Sequence, residues 1–599
     1  MKRRVADVIM DILAAHGITD CFAVVGGGAM HLDHALALKP EINKYFNHHE
    51  QACAMAAEAY ARVSGRMAAV CVTSGPGATN TLTGVMGCWQ DSLPMLVMSG
   101  QVRYEISVAK SGLPLRYRGM QEFDIIHSVQ NMTKYAVMLT DPLAVKYELE
   151  KAIQIALTGR RGPVWLDIPL DIQSAVVDEA DMYPYQETIT SPSASPSDIA
   201  VMMKKLREAE RPCILAGNGI VNSGRQQEFR EFAKRLGIPV IAACIAADAM
   251  YREYPLYYGL SGSIGPRTGN FIVQNADVIL SVGCSLGFKM TGFAQEKFAP
   301  HAYVIAVEVD ENEVRKPGVR VDYLIHSDLG SFFACALEQT RLIQIPAFWK
   351  NYCDKLNKRF SPFEAAEGHG LRERVCAYYF WKVCEKYERD DSISVLGNNT
   401  ACSAKLQIGI QKEKQRIIAN NNCGSMGADL PEAIGAAIAS GREVICYTGD
   451  GSIMMNLQEL QTIRHYDLPV KVVVFSNDGY HAIRQTSKNF FNGLLIGCTK
   501  ETGISFPEFQ DLAAAFGFTY MRCGSNGEVE ACLKQFFDVD GRVLLEVMQH
   551  PDDPVIPKVQ SRMGADGKFE TPSLEDMAPF ISLEEHDALM LWQSQGGIV

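Results

Sequence analysis

Short apolar runs, each ending in Gly, Ser, Pro or Asp, recur along the chain and alternate with stretches of helical periodicity. MAAVCVTSG, LPMLVMSG, GPVWLDIP, PCILAGNG, ADVILSVG, EVICYTGDG and VKVVVFSND all read as strands buried on both faces. Such strands belong to parallel sheets covered by helices on each side, so the pattern predicts an α/β fold. Ligands of these sheets bind beyond the carboxyl ends of the strands. The Gly-rich strand exits are therefore where chemistry is expected.

Two breaks interrupt the alternation. The stretch 191–198, SPSASPSD, reads as a linker. A second loosening runs from about 340 to 370 through Pro346, Pro362 and Glu367-Gly-His-Gly. They divide the chain into blocks at 1–185, 195–340 and 370–550, expected to be three doubly wound parallel-sheet domains. A polar tail with several prolines follows over 551–599.

The first and third blocks carry an internal repeat. SGRMAAVCVTSGPG is followed by DSLPMLVMSG, and SGREVICYTGDG by YDLPVKVVVFSN. Thr73 to Leu93 and Thr448 to Leu468 both span 20 residues. Glu58-Ala-Tyr-Ala and Glu432-Ala-Ile-Gly take similar places in the preceding helices. The two blocks are expected to be copies of one fold, with different chemistry at equivalent strand exits.

Composition narrows the class. A chain of 599 residues is long enough for three or four domains of about 100–200 residues each. Its 47% apolar and 21% charged content is that of a soluble globular protein. The net charge of −12 and the lack of a basic run argue against nucleic acid as a partner. No stretch approaches the ~18 apolar residues of a membrane span. Asp7 and Asp11 interrupt the apolar N-terminal stretch at helical spacing, which predicts an amphipathic helix and not a leader peptide. The 17 cysteines are scattered without C-x-x-C pairs. Buried thiols in a reducing, cytoplasmic setting are the expectation.

Four strand exits and one helix start carry candidate chemistry. Gly449-Asp450-Gly451-Ser452 closes one strand, and Asn477 closes the next apolar strand 27 residues after Asp450. Asp450 and Asn477 are hard oxygen ligands suited to magnesium, and the glycines let backbone N–H groups and the following helix N-terminus approach a phosphate. His49-Glu50-Gln51 opens a helix in the copy that lacks this motif. Ser74 to Asn80 forms a tight turn at that copy's equivalent exit, and Gly26-Gly27-Gly28 ends another strand nearby.

The segment GDGSIMMNLQELQTIRHYDLPVKVVVFSND resembles the thiamine-diphosphate motif, and residues from about 5 to about 560 resemble the acetolactate synthase (acetohydroxyacid synthase) large-subunit family. The resemblance implies that Asp450, Asn477 and the Gly479 carbonyl hold Mg2+. Gly449, Gly451 and Ser452 would cradle the diphosphate, with Asn398 and Met426 supporting the cofactor. Glu50 would hydrogen-bond the pyrimidine of thiamine and relay a proton. Gln121 would join it in catalysis, Gly27, Pro76 and Asn80 would bind cofactor, and Gly28 substrate. In the middle block, Gly217, Gly219, Gly283, Glu308 and Asp328 take the places that line an FAD in such synthases. Departures at Ile264 and over Ser285–Lys289 run against a flavin there.

The acceptor side departs further. Met120, Thr140, Ala482 and Thr486 replace family residues, and Lys289 stands for an Arg that would grip a carboxylate. His481, Arg484 and Gln485 offer new polar groups, with a solvated helix face as the alternative. The implied activity is decarboxylation of a 2-oxo acid, pyruvate first, and ligation to a carbonyl acceptor. A keto-sugar nucleotide acceptor stays open, because acetolactate-synthase-like enzymes of polysaccharide loci share the GYxxIRQT and LEDMxPF features. A non-ligating decarboxylase, a flavin-dependent oxidase and a non-catalytic cofactor-holding protein also remain. Because the two half-sites lie in different blocks, the family implies a homodimer or homotetramer.

Overall fold

The computed structural model describes residues 2–363, 373–563 and 569–592. The Glu367-Gly-His-Gly segment and the last residues of the tail lie outside them.

Three six-stranded parallel sheets form the three domains. The first contains β1 (Asp20–Ala23), β2 (Asn43–Phe46), β3 (Ala68–Val72), β4 (Met95–Gln101), β5 (Tyr135–Met138) and β6 (Pro163–Pro169). The second contains β7 (Pro212–Ala216), β8 (Val240–Ala243), β9 (Tyr257–Ser261), β10 (Val278–Val282), β11 (Tyr303–Glu308) and β12 (Tyr323–His326). The third contains β13 (Ile393–Leu396), β14 (Arg416–Ile418), β15 (Val444–Gly449), β16 (Val470–Ser476), β17 (Thr519–Cys523) and β18 (Val543–Met548).

The first sheet runs β2-β1-β3-β4-β6-β5 and the third β14-β13-β15-β16-β18-β17. These are the same permutation, so the repeat in the sequence is a repeat of topology. The middle sheet runs β9-β8-β7-β10-β11-β12, the order of the dinucleotide-binding doubly wound fold.

Register corrects the repeat by one residue. The helices Glu50–Ser64 and Asp429–Ser440 end alike, with left-handed Gly65 and Gly441 and with Ser64 and Ser440 bonded to the preceding turn. β3 and β15 then start four residues after those serines, and Val72 pairs with Ser99 as Thr448 pairs with Val474. Thr448 thus matches Val72, and Ser74 occupies the Asp450 position. The connection into β16 is one residue shorter than that into β4, which let the equal spacing of Thr73 and Thr448 mislead.

The same two helices form the seam between the first and third domains. Ala54, Ala56, Ala57, Leu430, Ala433 and Ile434 share one continuous core. Small residues permit the approach: a Cβ on Gly435 would overlap the Ala56 carbonyl. Glu58 and Glu432 do not sit at matching turns, but they come together around Arg62 at this seam.

Three organisational expectations change. The end of the 191–198 linker is a helix start, with Ser195 and Asp198 forming a capping box for the helix Pro196–Glu208. The loosening after 340 contains the helix Ala347–Arg359, which Pro346 precedes and which buries Trp349, Cys353 and Leu356 at helical spacing. The tail, read as polar, carries buried apolar residues where described. Leu574 and Met577 are buried, and Asn270 donates to the Leu574 carbonyl, so the tail straps the middle domain.

Candidate active site

In the third domain the parallel register of β15 and β16 places Asp450 and Asn477 at neighbouring strand exits. The Asp450 carboxylate accepts from the Gly451 N–H at 2.8 Å, the Asn477 N–H at 2.9 Å and the Gly479 N–H at 3.2 Å. Burial pushes its carboxyl up to about 6, against the pull of those donors and of Arg484. The helix after Gly449 is only Asp450–Ile453, so its dipole is small and any anion would be held chiefly by backbone N–H groups. A Cβ on Gly451 would overlap the Tyr480 ring, and Met426 lies just beyond. Asn398 Nδ2 donates to the Gly424 carbonyl at 2.5 Å, which joins it to the Met426 segment.

Ser452 is buried and engaged internally. Its hydroxyl donates to Asp429 Oδ2 at 2.7 Å and accepts from the Gly427 N–H at 2.9 Å. Thr448 Oγ1 donates to the same Asp429 oxygen at 2.7 Å. Asp429 is thus the hub under the motif, and sequence reasoning missed it. The only local signal was an Asp next to a Leu-Pro helix start.

Among the described residues, no group of three or more His, Cys, Asp or Glu is placed to hold a metal alone. One buried carboxylate, one amide oxygen and one carbonyl are what magnesium needs when phosphate oxygens and water complete its shell. The donor set fits a magnesium diphosphate.

In the first domain Glu50 starts its helix, with the His49 side chain accepting from the Gln51 N–H. Asn80 Nδ2 donates to Glu50 Oε2 at 2.9 Å, and Oε1 faces Gly77. Pro76 occupies the first turn of the helix Pro76–Asn80. Gly75 has a φ of 58° and lies so close to the Gln121 carbonyl that a Cβ would overlap it. Gln121 is itself left-handed, with a φ of 63°, a strained backbone of the kind held at functional sites. Gly28 donates to Thr73 Oγ1 at 3.0 Å, while Gly27 is exposed beside it. Glu50, Asn80, Gln121 and Gly28 are therefore gathered around the β3 exit, with Thr73 an unforeseen junction. Asn456 ties this cluster to the third domain, bonding both Gln51 and the Gly427 carbonyl.

The residues assigned to the acceptor side divide. Lys289 is exposed and donates to the Asn421 carbonyl, next to the Met426 segment. His481 and Arg484 turn inward. Arg484 donates to the Asn477 carbonyl at 2.6 Å and the Asp478 carbonyl at 3.0 Å, and both His481 nitrogens are engaged, by Thr400 and Gln485. Burial and the Arg484 charge bring His481 down to about 4, so it is neutral. Neither residue is offered to a substrate, because the amphipathic helix His481–Phe490 packs this face against the metal loop.

A cavity of about 400 Å³ opens at the middle domain, lined by Gly219, Gly283, Lys289, Glu308 and Asp328, and by Arg161 of the first domain. Gly217 lies behind it, where a Cβ would overlap the Gly283 carbonyl. Burial raises the Glu308 carboxyl above its ordinary range. Size, strand order and glycine turns fit a dinucleotide.

Comparison with known proteins agrees with this geometry. Families described as thiamine pyrophosphate enzyme N-terminal TPP binding domain, central domain and C-terminal TPP binding domain match residues 3–128, 199–335 and 396–547. The acetolactate synthase isozyme 2 large subunit of Escherichia coli is 30% identical over 545 residues, covering 90% of this chain and 95% of that one. A probable acetolactate synthase large subunit of Methanocaldococcus jannaschii is 29% identical over 569 residues, 92% of this chain and 93% of that one. Acetolactate synthase 1, chloroplastic, of Oryza sativa is 29% identical over 576 residues, 93% and 86% of the two chains. With three matching domains and relatives along nearly its whole length, the chain belongs to the thiamine pyrophosphate enzymes, among their acetolactate synthase-like members.

Proposed function

We propose that this enzyme decarboxylates a 2-oxo acid, pyruvate first, and ligates the remaining acyl unit to a carbonyl acceptor. The observation that carries the reading is the pair of complementary half-sites on one repeated fold: Glu50 in the first copy, and Asp450 with Asn477 and Gly479 in the third. Thiamine diphosphate, when bound, supplies the nucleophilic carbon and the electron sink for decarboxylation. Asp450, Asn477 and the Gly479 carbonyl would hold Mg2+, and Gly449 and Gly451 keep the phosphate approach open. Asn80 fixes one Glu50 oxygen and leaves the other to exchange a proton. The Gln121 loop, pinned on Gly75, borders the reaction space. Lys289, at the seam between the middle cavity and the Met426 segment, is suited to an acceptor carboxylate.

The middle cavity is proposed to take FAD. Loss of flavin absorbance on substituting Gly283 by a bulky residue checks this. Exposed Met120, Leu494 and Ile496 lie beside the two half-site loops, which favours a homodimer or homotetramer that covers them. Among the described residues, no helix is long and apolar enough to cross a membrane. The described cysteines are unpaired, which favours a cytoplasmic setting.

The test is product analysis with carboxyl-labelled pyruvate, Mg2+ and thiamine diphosphate. Labelled carbon dioxide with a ligated product is expected. Acetolactate from pyruvate alone makes a second pyruvate the acceptor, whereas ligation only on adding a keto-sugar nucleotide makes that the acceptor. Free acetaldehyde with every acceptor would mark a non-ligating decarboxylase. No labelled carbon dioxide from any 2-oxo acid overturns the reading.

A further inference from the structure

We propose that Gln549 is a positioning residue that decides which end of the Asn477 carboxamide faces the metal. The proposal rests on the reading of Asp450, Asn477 and Gly479 as the metal loop.

A carboxamide is ambiguous, since its oxygen can ligate a cation and its NH2 cannot. Asn477 is buried, so solvent does not choose its orientation. Its Nδ2 donates to Gln549 Oε1 at 3.1 Å, across 72 residues of chain. Arg484 Nη2, a donor only, approaches Asn477 Oδ1 at 3.4 Å. The first contact commits Nδ2 to the protein, and the second puts a donor beside the other end, which selects oxygen there and leaves Oδ1 a second lone pair for a cation.

Gln549 cannot itself turn around. It is buried, and its N–H bonds the carbonyl of Ser476, the last residue of β16 before Asn477, at 2.9 Å. Its Nε2 donates to Asp553 Oδ2 at 3.2 Å and approaches Thr400 Oγ1 at 3.5 Å. That Asp553 oxygen also accepts from the Ala377 N–H at 2.7 Å, which fixes it. An oxygen that already takes a backbone N–H is presented to Gln549 as an acceptor. It therefore sets the NH2 end of Gln549, which sets the NH2 end of Asn477.

The His481 ring reinforces the order. Gln485 Nε2 lies 3.0 Å from its Nε2, so that nitrogen accepts and Nδ1–H donates to Thr400 Oγ1 at 2.8 Å. The helix read from sequence as facing the acceptor is instead part of the frame around the metal ligand. Groups behind a ligand are worth about 10–100-fold in metal affinity elsewhere.

The test is Mn2+ binding in place of Mg2+, titrated with thiamine diphosphate present and followed by the electron paramagnetic resonance of free Mn2+. Gln549→Met should weaken Mn2+ binding about tenfold or more. In an Asn477→Asp background, whose two oxygens are equivalent, the same substitution should change affinity less than about twofold. Equal losses in both backgrounds, or no loss beside Asn477, overturn the proposal. If Gln549→Met does not fold, Gln549→Ala carries the same comparison: a loss of about tenfold or more beside Asn477 that shrinks below about twofold in the Asn477→Asp background supports the proposal, and equal losses in both backgrounds overturn it. No Mn2+ binding by the wild-type protein would sink the metal-loop reading itself, and the proposal with it.

Discussion

The first and third domains are the same sheet, strand for strand, with opposite equipment at the same exits. In the third, the turn after β15 gathers backbone N–H groups onto the buried Asp450 carboxylate. In the first, Ser74 stands in the Asp450 position, Gly75 is sealed under the Gln121 loop, and the carboxylate has moved to the start of the neighbouring helix. On the function proposed above, one copy would hold an anion and a metal, and the other would exchange a proton. The repeated topology supplies two equivalent strand exits, and a few side chains set them apart.

That division predicts a crossed pattern of failures. Glu50→Gln should lower turnover by about 10²–10⁴-fold while thiamine-diphosphate affinity stays within a few-fold. Asp450→Ala should do the reverse at the binding step, weakening Mg2+–cofactor affinity by at least the ~10–100-fold seen for groups behind a metal ligand. Steady-state kinetics beside direct cofactor titration separates the two. If Glu50→Gln loses cofactor and keeps turnover once saturated, the two copies do not divide the work as described.

A smaller effect sharpens the contrast at the turn itself. Gly75→Ala places a Cβ on backbone of φ 58° and against the Gln121 carbonyl. It should cost about 1–3 kcal/mol and push the Gln121 loop away. The matched substitution Gly451→Ala meets the Tyr480 ring instead, so it should disturb cofactor binding before stability. Melting temperature and cofactor affinity of the pair check this.

Strands, repeat and the Asp450–Asn477 motif were legible because each is written within a few residues at a strand exit. Their supports were not. Asp429 under Ser452, Thr73 beside Gly28, and Gln549 against Asn477 act across loops or strands, between residues that no spacing in the sequence links. His481 and Arg484 were visible as polar groups on an amphipathic helix, but periodicity does not say whether a polar face meets solvent, substrate or a row of carbonyls. The tail looked polar by composition, and only the buried Leu574 and Met577 reveal it as a strap.

The smallest effect lies at the seam where the copies meet. Glu432 is fully buried, neither carboxylate oxygen has a hydrogen-bond partner, and its charged neighbours are Glu58, Arg62, Asp429 and Asp91. One guanidinium cannot balance four carboxylates, so a proton is shared there. Burial first, and then the like charge of Glu58, hold Glu432 well above the ordinary range, and Glu58 is itself pushed up to about 7. For a carboxyl raised on folding, the stabilisation is complete below the unfolded value near 4.3 and is lost as pH rises through the folded value. Wild-type stability should therefore fall between about pH 5 and pH 8. Glu432→Gln removes one ionisation and lets Glu58 settle beside Arg62. Its unfolding free energy should match wild type at about pH 5 and exceed it at about pH 8, by a difference on the order of 1 kcal/mol. Equal loss of stability in both proteins over that range would place the shared proton elsewhere and leave the seam as packing alone.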